Sequence, residues 1–187
     1  MKVALLVIIG SLASCRSTIG PYSTPTEVSR DTTAAERLSR EAADLIDSDP
    51  NKAEAILREA LTKDLFYGPA HNNLGVVFLK QDKLYEAANE FEWARKLLPD
   101  SADPRVNLGI AMERAGRGDE AFRAYEAAME VAPGNIAAMQ GAALCSARSH
   151  TTPPQLASWL DTIAVRGESS AWRDWARLRS ADSDARR

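Results

Sequence analysis

The sequence predicts an all-α chain built as an array of helix–turn–helix units, and three observations carry that prediction. A 34-residue register is written twice: Asn73, Leu74 and Gly75 return as Asn107, Leu108 and Gly109, and Glu86-Ala87, Phe91, Ala94 and Pro99 return as Glu120-Ala121, Tyr125, Ala128 and Pro133. A fixed period of this size belongs to repeat architectures, in which each unit buries its apolar face against the next. Within each unit the spacing is helical. Ala87, Phe91, Ala94 and Leu98 stand 4, 3 and 4 apart, as do Ala121, Tyr125, Ala128 and Ala132. The body is also rich in alanine, which favours close-packed helices over sheet.

From the N-terminus, Met1-Lys2 precedes an apolar run, Val3 to Ile9, too short for the roughly 20 helical residues that span a bilayer. The run has the size of a signal-peptide core. Residues 16–33, RSTIGPYSTPTEVSRDTT, contain eight Ser or Thr with Pro21 and Pro25 and no apolar period, so they read as linker. As a flexible coil they span roughly 25 Å, which would hold the body off a surface without fixing its orientation.

Thr33-Ala34-Ala35-Glu36 has the form of a capping box and predicts a helix from residue 34 to about Asp47. Asp49-Pro50 predicts a second start. Ala53, Leu57 and Ala60 lie 34 before Ala87, Phe91 and Ala94, so 34–67 is expected to be a degenerate helix pair with a slightly shorter turn. The first clear unit, 68–101, is expected to place helices at Pro69–Lys80 and Leu84–Leu97, with Gly75 giving way to the partner helix near Ala87. Asp82 and Gly116 occupy equivalent turn positions, and both tolerate a left-handed backbone. The second unit, 102–135, repeats the first with helices at Pro104–Ala115 and Asp119–Val131. A degenerate unit at 136–167 opens behind Asn135, a good N-cap, and continues with a helix starting at Thr152-Pro153-Pro154. Its Cys145 matches Val77 and Ala111 and is expected to be buried and inert. Residues 168–180 are expected to cap the array through Trp172, Trp175 and Leu178, and 181–187 to form a frayed tail.

The repeated stretch 68–135 resembles the tetratricopeptide repeat (TPR) family, with small residues where helices cross and a proline closing each unit. The resemblance implies a TPR-type helix–turn–helix solenoid with a C-terminal capping helix, working by protein–protein interaction. Leu12-Ala13-Ser14-Cys15 resembles the bacterial lipobox, which implies cleavage after residue 14 and lipidation of Cys15. Two or more acyl chains anchor stably where one does not. Loss of Lys2 takes the net charge from −3 to −4, and Arg16 after the cysteine leans towards the outer membrane.

Together these readings imply a lipid-anchored adaptor or scaffold facing the periplasm of a bacterial cell envelope, as an assembly factor for an envelope complex. A structural subunit of an envelope oligomer, or an accessory to an envelope enzyme, is the alternative. The partner is expected to be a protein or an extended peptide segment. In the family the first helix of each pair lines a concave face, which places Asn73, Val76, Lys80, Asn107, Ile110, Glu113, Arg114 and Arg148 along a groove. Asparagine amides suit an extended peptide backbone. Lys80, Arg114 and Arg148, at three successive helix C-termini, would form a positive stripe or would simply answer the helix dipole. The clamp that chaperone-binding relatives close on a terminal carboxylate is not reproduced, since Val76, Ala137 and Gly141 stand at its positions.

No cofactor is implied and no catalytic constellation is visible. His71 and His150 lie 79 residues apart without companion ligands, which argues against a metal site. The charge shows no basic footprint for nucleic acid. Gly116-Arg117-Gly118-Asp119-Glu120-Ala121 matches a dinucleotide fingerprint, and contains Arg-Gly-Asp, but it follows a helix where the fingerprint needs a strand.

Overall fold

The computed structural model describes residues 30–184, in which nine α-helices and no strands occur. The expected signal peptide, Cys15 and most of the expected linker lie outside the described residues. The helices are α1 (Thr32–Ala43), α2 (Pro50–Lys63), α3 (Gly68–Lys80), α4 (Leu84–Leu97), α5 (Asp103–Arg114), α6 (Gly118–Val131), α7 (Ile136–Ser149), α8 (Leu156–Arg166) and α9 (Ser170–Asp184). Consecutive helices pack in antiparallel pairs. The first helices α1, α3, α5 and α7 also touch one another in sequence, so they form one layer backed by α2, α4, α6 and α8.

The packing explains the register. Ala53, Ala87 and Ala121, one per unit, are all fully buried, and so are Ala60, Ala94 and Ala128. The aromatic position holds Leu57, Phe91 and Tyr125, each within 2% of complete burial. Such small-and-large alternation lets helix axes approach while a large side chain fills the space between pairs. A β-carbon on Gly75 would lie 2.5 Å from Cε1 of Phe91. The close approach at Gly75 is therefore to the Phe91 ring rather than to Ala87. Asp82 (φ 60°) and Gly116 (φ 75°) turn the chain through the left-handed region, as their equivalence predicts.

Several boundaries differ from expectation, each for a physical reason. Helix α1 is capped by Asp31, whose carboxylate accepts from Ala34 N at 2.9 Å, so Thr33 lies inside the first turn. Helix α1 stops at Ala43, and the turn Asp44–Asp49 is longer, not shorter, than its counterpart Gln81–Lys83. Asp49 and Asn135 do cap α2 and α7 through side-chain bonds to Lys52 N and Ala138 N. Helix α8 waits until Leu156, because neither Pro153 nor Pro154 can donate a backbone bond and each disfavours helix in the residue before it. Helix α9 runs to Asp184, past the expected end at 180. On α9, Trp172 and Trp175 pack on the core with Ala176, which is fully buried, whereas Leu178 is 71% exposed.

Candidate functional site

The eight expected groove residues all lie on the layer of first helices, and the 34-residue period makes neighbours of residues far apart in sequence. Asn73 on α3 donates to the Ser39 hydroxyl of α1 at 3.2 Å. Asn107 on α5 donates to Oδ1 of Asn72 on α3 at 3.0 Å. These bonds form an amide ladder across α1, α3 and α5. Each uses an asparagine N–H and leaves that residue's own carbonyl oxygen without a bond among the described residues, able to accept from a peptide N–H. Val76 and Ile110, one unit apart, are half-buried between these rungs.

The basic row is not a positive stripe. Lys80 pairs with Asp47, Arg114 with Asp82 at 2.9 Å, and Arg148 with Glu113 at 2.6 Å. Each cation reaches back to an acid of the preceding pair, and Arg114 also donates to the Leu79 carbonyl at 2.7 Å. The result is a ladder of alternating charge. Such exposed pairs contribute at most about 1 kcal/mol each, so they set register more than stability. Glu113 has a second duty, accepting from the Tyr125 hydroxyl at 3.1 Å. It therefore ties α5 to both α6 and α7.

Two features of this region escaped the sequence reading. The first is a buried knot beneath the α2–α3 turn. His71, 4% exposed, meets a Glu90 carboxylate oxygen at Nδ1 (2.7 Å) and the Leu65 carbonyl at Nε2 (2.8 Å), while its ring stacks on Trp93. Both partners are acceptors, so both ring nitrogens donate only when the imidazole is protonated. Burial pushes the His71 pKa down, but the Glu90 hydrogen bond, the Leu65 carbonyl and the Glu90 charge outweigh it and raise the pKa. A folded pKa above the unfolded value of about 6.5 adds stability that is complete below that value. It is lost as pH rises through the folded pKa. Melting temperature should therefore fall across this window, and the fall should flatten in His71→Gln.

The second is Asp64, buried at the same turn, which accepts from Arg30, Thr32 and Phe66 N. Burial alone would raise its pKa, but these donors, Thr32 first, hold it below the ordinary carboxylate range. Only a periodic mismatch hinted at this edge: Trp93 has Glu59 one unit before it and Ala127 one unit after.

Elsewhere the chemistry is quiet. Cys145 is buried, and burial followed by the Glu113 charge pushes its thiol up to about 11, which disfavours the reactive thiolate. Among the described residues no group of three or more His, Cys, Asp or Glu is placed to hold a metal, and no helix is long and apolar enough to cross a membrane. The Gly116–Ala121 segment runs from the α5–α6 turn into α6, where Arg117 pairs with Glu120. Two clefts, of about 440 and 260 Å³, lie near Phe122 and Thr152 and between Arg95 and Arg123; none of the eight groove residues lines either.

No family profile and no curated protein matches the chain. Solved structures do. PilF from Pseudomonas aeruginosa superposes with a TM-score of 0.73 at 19% identity, covering 83% of this chain and 71% of PilF. The first TPR of Spaghetti (RPAP3), bound to the HSP90 peptide SRMEEVD, gives 0.63 at 17%, over 66% of this chain and 98% of that one. The fold is a TPR-type helical solenoid. MamA gives 0.60 at 23%, with 84% of both chains covered. At these identities the TPR likeness is one of fold.

Proposed function

We propose that the chain is a non-catalytic TPR adaptor of the bacterial cell envelope, anchored by lipid on Cys15, facing the periplasm and favouring the outer membrane. It holds an extended segment of a partner protein along the α1–α3–α5–α7 layer. The observation that carries the reading is the amide ladder, Asn73 to Ser39 and Asn107 to Asn72, which presents carbonyl acceptors beside the half-buried Val76 and Ile110. A peptide in extended form offers backbone N–H groups that such carbonyls can accept. The Spaghetti TPR, solved with the HSP90 peptide SRMEEVD, supports a peptide as the class of partner. The paired cations Lys80, Arg114 and Arg148 favour a partner of mixed charge over a purely acidic one.

Photocrosslinkers at Val76 and Ile110 should capture a protein from native membranes, and Asn73→Ala/Asn107→Ala should sharply reduce that capture. The double variant also loses three intramolecular hydrogen bonds, two from Asn73 to Ser39 and one from Asn107 to Asn72, at about 0.5–1.5 kcal/mol each, so it must be assayed below its lowered melting temperature. Capture that depends instead on Glu92 or Arg123, on the backing helices, would move the site off the layer. The anchor has its own test. Cys15→Ser should abolish acyl labelling and leave the uncleaved precursor; a mature-size, acyl-labelled product refutes it.

A further inference from the structure

We infer that the edge formed by the α2–α3 turn and the outer side of α4 is a membrane-docking surface, on which the body rests against anionic lipid headgroups. The inference rests on the lipid anchor proposed above and adds an orientation to it. Three large apolar side chains stand out here: Leu65 (58% exposed), Phe66 (50%) and Trp93 (48%). Leu65 and Trp93 are joined through the His71 knot, since the Leu65 carbonyl meets Nε2 of the imidazole and the Trp93 ring stacks on it. Cations flank them at both ends. The Arg30 guanidinium lies 4.8 Å from the centre of the Phe66 ring, and Lys96 Nζ lies 5.6 Å from the centre of Trp93. Exposed Lys63 sits at the end of α2, just before the turn.

Two acids of this edge are answered from inside, and exposed Asp31, whose amide meets the Lys63 carbonyl at 3.0 Å, caps α1. Asp64 is taken up by Arg30, Thr32 and the Phe66 amide, and Glu90 by His71. What faces outward is aromatic and apolar surface flanked by exposed Lys63 and Lys96 and by Arg30, itself paired with Asp64. That is the composition that seats proteins in the membrane interface, where tryptophan settles at the headgroup level and cations meet anionic lipid.

The position of the chain selects lipid as the occupant. The described residues begin at Arg30, the residue that covers Phe66, and Cys15 lies only fourteen intervening residues upstream. A coil of that length spans roughly 20 Å on average and at most about 50 Å. An acylated Cys15 therefore keeps the bilayer within reach of this edge, and the side chains of the edge, not the tether, set the orientation. Tethering of this kind makes weak patch affinity sufficient, because docking becomes intramolecular. It also leaves the layer of first helices open, since Phe66 is on a turn and Trp93 on a backing helix.

The acylated mature protein, reconstituted into phosphatidylcholine–phosphatidylglycerol vesicles with brominated acyl chains, tests the orientation. Tryptophan emission should be quenched, and most of the quenched signal should vanish in Trp93→Phe. Equal quenching in the two proteins, or none, overturns the docking surface and leaves the anchor standing. A second arm needs no anchor. The mature-length chain beginning at Arg16, which keeps every described residue, should sediment with the anionic vesicles and not with phosphatidylcholine alone. Lys63→Glu/Lys96→Glu should weaken that association at least about tenfold with the melting temperature held. Unchanged association, or a photoreactive group at Phe66 that captures protein in place of lipid, overturns the inference. Failure of the Cys15→Ser labelling test would remove the anchor alone, and the sedimentation arm would still decide the surface.

Discussion

Tyr125→Ala lowers stability by about 3–5 kcal/mol, the range for deleting a large aromatic from a packed core, and this is the largest single-residue effect expected in the chain. The ring is 2% exposed and lies between two helices that have each given up a side chain for it. A β-carbon on Gly109 of α5 would fall 2.5 Å from Cε1 of Tyr125, and one on Gly141 of α7 would strike the same ring. Removing the ring leaves a cavity at the junction of three helices that cannot close without moving a backbone. Tyr125→Phe isolates the hydroxyl. It loses only the bond to Glu113, which keeps Arg148, and should cost about 1 kcal/mol. Gly141→Ala should approach the large end of overpacking costs, about 3 kcal/mol, because the ring it meets has no free side to turn towards. Denaturant unfolding of the three variants checks the order Ala, then the glycine variant, then Phe. A Tyr125→Ala protein as stable as wild type would mean that α5, α6 and α7 do not meet on this ring.

The same ring shows why the fold was legible in the sequence. A repeat that buries one aromatic against one glycine must restate both residues each time the geometry recurs, so Gly75 with Phe91 and Gly109 with Tyr125 appear 34 apart. Local cap signals were less reliable where long-range contacts competed. Thr33 and Glu36 satisfy a capping-box pattern, yet α1 starts earlier, with Thr32 bonded to Asp64 at 2.7 Å and Arg30 beside it. A contact across 32 residues has no local trace. The row of cations was legible at the period, and its acidic partners were not. Lys80, Arg114 and Arg148 recur at the period, but their acids Asp47, Asp82 and Glu113 sit 33, 32 and 35 residues upstream. Those offsets drift around the period, so a search at 34 passes over them. The His71 knot was hidden for the opposite reason. It occurs once, in a single unit, and periodicity cannot report what does not repeat.

Truncation after Gly167 is the second large effect, and it separates a cap from a binding patch on α9. Trp172 and Trp175 meet edge to face with ring centres 5.4 Å apart, and both pack on the cluster that contains Trp159, Leu160 and Ile163 of α8. Ala176, fully buried, closes the contact. Arg173 donates to the Gly167 carbonyl at 2.7 Å and Arg177 to the Ala164 carbonyl at 3.2 Å, so α9 also satisfies the C-terminal end of α8. In a solenoid each unit is stabilised mainly by its neighbours, and the terminal one protects all the rest from fraying. Without α9 the α8 face is bare and the carbonyls near its end lose donors. The loss should be at least about 3 kcal/mol, less than two full tryptophan deletions because both rings are only partly buried. For a chain of this size that lowers the melting temperature by roughly 6–12 °C. Leu178 supplies the control: at 71% exposure, Leu178→Ser should leave the melting temperature within about 1 °C. If truncation leaves the melting temperature unchanged, α9 does not hold the end of the array, and its tryptophans become an exposed aromatic surface open to a partner.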